Sequence, residues 1–108
     1  MKHVIIGCLA LASLSAAQNS QTFTGIITDD MCAGVGHERM RMGPTDPECV
    51  TACVMYHGSK YVLENGTMVY VLSDQTTSAA FAAQKVKVVG TLDPATHTIQ
   101  VESMTAVD

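Results

Sequence analysis

Residues 60–73, KYVLENGTMVYVLS, carry the pattern of a β-hairpin and decide the fold more than any other stretch. Segments 60–64 and 67–73 are rich in valine, leucine and tyrosine, and Asn65-Gly66 lies between them. This dipeptide is the one that best fits a two-residue type I′ turn. A hairpin in the middle of the chain predicts a domain built on antiparallel strands.

Three further segments predict strands on either side of this hairpin. Segment 22–28 (TFTGIIT) precedes it, and segments 85–92 (KVKVVGTL) and 97–104 (HTIQVESM) follow it. They are rich in β-forming residues and alternate apolar with polar side chains, as half-buried strands do. Segment 74–84 (DQTTSAAFAAQ) is rich in alanine and predicts a short helix before the last two strands.

Individual positions within these strands carry more specific predictions. Phe23 and Ile27 fall on the same side of the first strand, with Gly25 between them where another part of the chain can approach closely. Val86 and Val88 point to one side of the fourth strand, and Gly90 predicts a bend or a β-bulge.

Five short strands with a helix between the third and fourth is the element order of the OB-fold, a partly open Greek-key barrel. We therefore expect an all-β domain with small helices over residues 22–108, after a polar lead-in at 18–21. Residues 29–58 then form a cysteine-bearing loop and helix inserted between strands one and two. Loops at this position of the fold flank the ligand face.

The second half of the insert is predicted to be a helix. Asp46 is the expected N-cap, Pro47 suits the first helical position, and Gly58 can end the helix in the left-handed conformation. A helical wheel places one set of side chains in a single arc facing the protein. The set is Cys49, Val50, Cys53, Val54, Tyr56 and His57.

Residues 1–17 have the pattern of a signal peptide. A basic start precedes the apolar run 4–14, and small residues stand before Gln18. The run is shorter than the roughly 20 residues that span a bilayer, so we expect a secreted or periplasmic protein without membrane association. Loss of Lys2 leaves five basic against ten acidic residues, a net charge of −5, which argues against nucleic acid as a partner.

Several motifs together resemble a known family. They are TGIITDDMC at 24–32, a following histidine, Cys49-x-x-x-Cys53, KYVL at 60–63 and VKVVGTL at 86–92. This combination resembles a group of short secreted bacterial proteins that share an OB-like domain of unknown function. The resemblance covers residues 22–103 and implies the fold and the location, and it brings no established activity.

Cys8 leaves with the predicted signal peptide, so an odd number of cysteines remains: Cys32, Cys49 and Cys53. With His37 they could form a four-ligand site of three thiolates and one imidazole, which suits zinc. His57 could take the place of His37 as the fourth ligand. Met40 and Met42 lie beside His37, and thioether ligands would favour copper.

A disulfide is the structural alternative for the same cysteines. A bond from Cys32 to Cys49 or Cys53 would close a loop of 17 or 21 residues and stabilise the domain by about 3 kcal/mol in the chain-entropy model. A third possibility is disulfide exchange between Cys49 and Cys53, although their spacing is not the CxxC of redox proteins.

Catalytic signatures are absent from the sequence. No nucleophile–base–acid set or phosphate-binding loop is present, and Asp29 and Asp30 end a strand, where acids more often accept backbone N–H groups in a turn. The favoured hypothesis is a non-enzymatic binding or structural module, stapled by a disulfide from Cys32, that binds an unknown small ligand or protein. A metal-binding protein is the alternative, and a thiol–disulfide redox protein is the third.

Overall fold

The computed structural model describes residues 20–34, 45–66 and 68–107, and these ranges form a mostly β structure with two small helices. The elements are β1 (Gln21–Asp29), α1 (Asp46–His57), β2 (Tyr61–Asn65), β3 (Met68–Leu72), α2 (Gln75–Ala80), β4 (Lys85–Asp93) and β5 (Thr98–Ala106). This element order is the one that the sequence predicted, with strand ends that differ by one or two residues.

The five strands form one mixed sheet that closes into a ring. Around the ring the order is β1-β2-β3-β5-β4, and β4 pairs with β1 again. All neighbours are antiparallel except β3 and β5, which are parallel and share the pairs Val71–Thr98 and Leu72–Ile99. The cysteine-bearing insert therefore leaves the ring at the end of β1 and returns at the start of β2.

Alternation along the strands places the core inside the ring. The core consists of Phe23, Ile27, Val50, Tyr61, Leu63, Leu72, Ala82, Val86, Val88, Ile99 and Met104. The predictions for Phe23, Ile27, Val86 and Val88 are thus confirmed. The register between β4 and β5 shifts between Val89 and Gly90, which confirms the predicted bulge.

Gly25 lies where two backbones come close together. A Cβ atom at this position would be 2.5 Å from the carbonyl oxygen of Glu64 and 3.1 Å from Cγ of Leu63. No side chain larger than hydrogen fits there without movement of β2. The predicted close approach at Gly25 is confirmed, and it explains a glycine in the middle of a strand.

The hairpin turn lies one residue later than predicted. Asn65 pairs with Met68 and is the last residue of β2, so it belongs to the strand and not to the turn. Gly66 has a φ of 61°, whereas Asn65 is not among the described non-glycine residues with positive φ. The Asn65-Gly66 type I′ turn is therefore wrong. Strand pairing, and not the preference of the dipeptide, sets the register.

Helix α1 begins one residue earlier than predicted. Its N-cap is Thr45, whose hydroxyl oxygen accepts the N–H of Glu48 at 3.4 Å and donates to the Glu48 carboxylate at 2.8 Å. Thr45 therefore caps the helix in place of the predicted cap Asp46, because its hydroxyl satisfies the N–H of Glu48 in the first turn. Gly58 ends the helix with a φ of 68°, as predicted.

The helical wheel is correct for the first turns of α1 and wrong for the last. Cys49, Val50 and Cys53 are buried, whereas Tyr56 is 74% exposed and His57 is also exposed. The last three residues of α1, Met55, Tyr56 and His57, are all exposed. Periodicity identifies a face of a helix, but it does not say how far the neighbouring sheet reaches along it.

Gln75, the first residue of α2, pairs with the backbone at the start of β2. Its side-chain oxygen accepts the N–H of Tyr61 at 2.8 Å, and its side-chain nitrogen donates to the carbonyl oxygen of Tyr61 at 2.9 Å. The same nitrogen donates to the carbonyl of Leu72 at 2.8 Å. One amide side chain thus connects α2, β2 and β3.

The predicted signal peptide, residues 1–17, lies outside the described ranges, and secretion stays a prediction. Within the described ranges, neither helix combines the length and the hydropathy that a membrane-spanning helix requires.

Candidate metal centre

Three cysteines from two separate elements meet beside the ring. Cys32 lies in the turn that follows β1, and Cys49 and Cys53 lie one helical turn apart on α1. All three are buried, with exposures of 3%, 0% and 0%, and they form a cluster of their own apart from the main core. Their three sulfur atoms lie within 4.8 Å of one another.

The disulfide that the sequence favoured is not formed in the structure. Cys32, Cys49 and Cys53 are all free thiols. Three sulfurs bound to one tetrahedral zinc ion at 2.3 Å are about 3.8 Å apart, so a mutual distance below 4.8 Å is close to the spacing that such a site needs. The donor set therefore fits a thiolate-binding ion, and the three buried cysteines could form a metal site.

Asp29 holds the turn that carries Cys32. Its Oδ2 atom accepts the N–H groups of Met31 and Cys32, each at 3.1 Å. Its backbone carbonyl accepts the N–H groups of Cys32 at 3.2 Å and Ala33 at 3.0 Å. The sequence prediction that this acid satisfies backbone groups in a turn is confirmed.

Sequence reasoning missed the burial of Asp29 beside the thiols. Asp29 is 0% exposed, and its Oδ1 atom is buried without a hydrogen-bond partner among the described residues. One signal in the sequence could have indicated this position. Phe23, Gly25, Ile27 and Asp29 alternate along β1, so the acid falls on the same face as the buried apolar residues.

Burial and charge raise the pKa of two of the three thiols, Cys32 and Cys53. Burial, followed by the negative charge of Asp29, raises the pKa of Cys32 from 9.0 to about 12. Burial and the same carboxylate also raise the pKa of Cys53. Thiolate is the form that attacks disulfides and binds metals, so these thiols are poor nucleophiles at neutral pH, and a metal must displace their protons to bind.

The histidines of the predicted site do not join this cluster in the described part of the chain. His57 is exposed at the end of α1 and is not among the ligand atoms that converge. His37, Met40 and Met42 lie outside the described residues. The role of His37 as fourth ligand stays a prediction.

A surface groove of about 450 Å³ separates α1 from α2 and contains none of the cysteines. Ala52, Met55 and Tyr56 line it on the α1 side, and Ala79 and Ala80 line it on the α2 side. Met55 and Tyr56 are exposed. Glu48, Thr51 and Gln84 also line the groove, so its surface combines apolar with polar side chains.

No protein-family model, no curated protein and no solved structure matches the chain.

Proposed function

We propose that the protein binds a thiophilic metal ion, zinc or copper, through Cys32, Cys49 and Cys53. The observation that carries the proposal is the convergence of three buried sulfur atoms within 4.8 Å. Two elements that are far apart in sequence bring these atoms together, a turn held by Asp29 and a helix capped by Thr45. Three thiolates are a preferred donor set for Zn(II) and Cu(I).

The domain that carries the site is proposed to be OB-like. Support comes from the strand order β1-β2-β3-β5-β4 around the ring, in which β3 and β5 are the one parallel pair. In such a fold the cysteine insert occupies the first loop, one of the two that flank the ligand face. The motif likeness described above supports membership of the short secreted bacterial family and a secreted or periplasmic location.

Metal binding is preferred to the disulfide staple for two reasons. A staple uses two of the three cysteines and leaves a third buried thiol unexplained, whereas a metal uses all three. The second reason is that Cys32, Cys49 and Cys53 are all free thiols in the structure. The raised pKa of Cys53 disfavours thiol–disulfide exchange between Cys49 and Cys53, which needs a low-pKa cysteine.

The choice between zinc and copper depends on the remaining ligand. His37 would complete a three-cysteine, one-histidine site of the zinc type. Thioether ligation by Met40 or Met42 would instead favour Cu(I).

The test is elemental analysis with thiol counting on the full chain, purified under anaerobic and under aerobic conditions. We expect one equivalent of metal per chain. We also expect the thiols of Cys32, Cys49 and Cys53 to be protected from alkylation until a chelator is added. Substitution of Cys32, Cys49 or Cys53 by serine should abolish stoichiometric binding. The control Ala33→Ser changes the residue next to Cys32 and should retain the metal.

A different result would select another function. One free thiol among the three, no metal, and a mass lower by two hydrogens would establish the disulfide staple and overturn the metal proposal. If the protein does bind metal, separate titrations of the anaerobic apo-protein with zinc and with copper show which ion binds more tightly.

A further inference from the structure

The buried carboxylate of Asp29 interacts with the thiols of Cys32 and Cys53, and its two oxygens differ in their backbone partners. Oδ2 is fully engaged by the N–H groups of Met31 and Cys32, whereas Oδ1 has no partner among the described residues. The whole residue is 0% exposed. Buried carboxylate oxygens normally have a hydrogen-bond partner because desolvating them without one is costly. Oδ1 of Asp29 is therefore available to a bound ion.

The fixed turn places this carboxylate beside the sulfurs. The bonds from Asp29 to the amides of Met31 and Cys32 tie the acid to the cysteine three residues later. Its negative charge acts on Cys32 and also on Cys53 across the site. Asp29 therefore lies close to the thiols of both Cys32 and Cys53.

A second unpartnered oxygen lies near the same cluster. The hydroxyl of Ser59 is buried without a hydrogen-bond partner among the described residues. The N–H of Ser59 donates to the carbonyl of Cys53 at 3.4 Å, and the next residue, Lys60, accepts the N–H of Asp30. Ser59 therefore lies close to the backbone of Cys53, one of the three proposed ligands.

We propose that the Asp29 carboxylate is the oxygen ligand of the same ion and completes a site of three sulfurs and one oxygen. This inference rests on the proposed metal function and goes beyond it by naming the fourth ligand and the metal class. Zinc accepts carboxylate oxygen together with thiolate in tetrahedral sites. The ion that fits is therefore a divalent one of the zinc type.

Charge and hardness select this class of ion. Three thiolates and one carboxylate around a dication leave a net charge of −2, the same as in a four-cysteine zinc site. Cu(I) prefers sulfur ligands alone, and a carboxylate beside it would add charge without a strong bond. Among the described residues the three sulfurs alone lie mutually within 4.8 Å, so ligation by Asp29 requires a side-chain adjustment that brings Oδ1 closer to them.

Cobalt(II) titration of the reduced full chain tests the proposal, because Co(II) replaces zinc and reports its ligands by colour. Wild type should show sulfur-to-cobalt charge transfer together with the intense d–d bands of a tetrahedral site. Asp29→Asn keeps an oxygen for the Met31 and Cys32 amides and turns a non-ligating NH2 toward the ion. We expect unchanged charge transfer, altered d–d bands and affinity weaker by about tenfold to a hundredfold.

Asp30→Asn is the matched control, because Asp30 is the exposed neighbour of Asp29. It should match wild type in both bands and in affinity. If Asp29→Asn also matches wild type, the carboxylate is not a ligand and the proposal is overturned. If wild type shows no charge-transfer band at all, the metal function itself fails, which is a different result.

X-ray absorption at the zinc edge of the unmodified protein gives an answer that does not depend on the folding of any variant. Three sulfurs and one oxygen without imidazole scattering are the expected first shell. Three sulfurs with imidazole scattering would assign the fourth position to a histidine and reject Asp29. Asp29→Cys adds a third readout, since charge transfer should increase in proportion to a fourth cobalt–sulfur bond.

Discussion

The carboxylate of Asp29 accepts the backbone N–H of Cys32 at 3.1 Å and so fixes the loop cysteine to the end of β1. The other two cysteines are fixed by α1, whose first turn is capped by Thr45. The cluster is therefore held by backbone structure on both sides before any ion arrives. A preformed site loses little conformational entropy when the ion binds.

Removal of the Asp29 side chain should destabilise the metal-free protein. Asp29→Ala leaves the amides of Met31 and Cys32 without their acceptor, and we expect a loss of about 1–3 kcal/mol in the free energy of unfolding. Urea denaturation in the presence of chelator measures it. Asp30→Ala should stay within about 0.5 kcal/mol of wild type, as exposed substitutions usually do. Equal stability of both variants would contradict the role assigned to Asp29 in the turn.

Zinc should stabilise the protein in proportion to the logarithm of its free concentration. A ligand that binds only the folded state adds about 1.4 kcal/mol for each tenfold excess over its dissociation constant. Thermal unfolding in zinc buffers should therefore show a Tm that rises with free zinc. Cys49→Ser removes a buried ligand, and its Tm should not depend on zinc. A zinc-dependent Tm in this variant would show that the ion binds elsewhere.

Alkaline pH should destabilise the metal-free protein through Cys32 and Cys53. Both thiols have a raised pKa in the folded state, to about 12 for Cys32, because of burial and then the charge of Asp29. Below pH 9 the thiols are protonated in both states and their contribution is fully present. Above pH 9 the unfolded chain loses these protons first, so the free energy of unfolding falls as the pH rises toward 12.

The measurement compares wild type with Cys32→Ser by urea denaturation between pH 8 and about 11, the upper limit staying below the folded-state pKa. The variant has no thiol at this position, so its stability should fall less steeply with pH. Parallel curves for the two proteins would show that the folded-state pKa of Cys32 is not raised. The loss is expected above pH 9 and not in the acidic range, because a raised thiol pKa has no effect where both states are protonated.

Gly25→Ala should destabilise the ring by about 1–3 kcal/mol, the usual cost of overpacking. The added methyl group would lie 2.5 Å from the carbonyl oxygen of Glu64, which is backbone and cannot rotate away. Thr24→Ala, at the exposed neighbouring position of β1, is the control and should cost much less. The urea midpoints of the two variants measure these two losses of stability. Equal midpoints would mean that β2 moves without cost.

Local pattern predicted most of the fold. The order of strands and helices, the inward positions of Phe23 and Ile27, the bulge at Gly90 and the helix end at Gly58 all follow from neighbouring residues. These features depend on side-chain alternation or on a single backbone conformation. A sequence records such information directly.

Features that depend on distant parts of the chain were not predictable in the same way. The position of the hairpin turn depends on how Asn65 pairs with Met68, and the exposure of Tyr56 depends on where the ring ends. For the site, inward-facing Cys49 and Cys53 were predicted from the helical wheel. The burial of Asp29 beside them required the three-dimensional arrangement of β1 and α1.

Gln75 has a consequence for the behaviour of the protein in concentrated solution. At Tyr61, β2 has β1 on one side, and on the other side the amide of Gln75 takes the N–H and the C=O that lie beyond the first pair of β2 with β3, Val62–Val71. An unpaired strand end is a template for pairing with another chain and for aggregation. Because the side chain of Gln75 already pairs with the N–H and the C=O of Tyr61, these groups are not available for pairing with another chain.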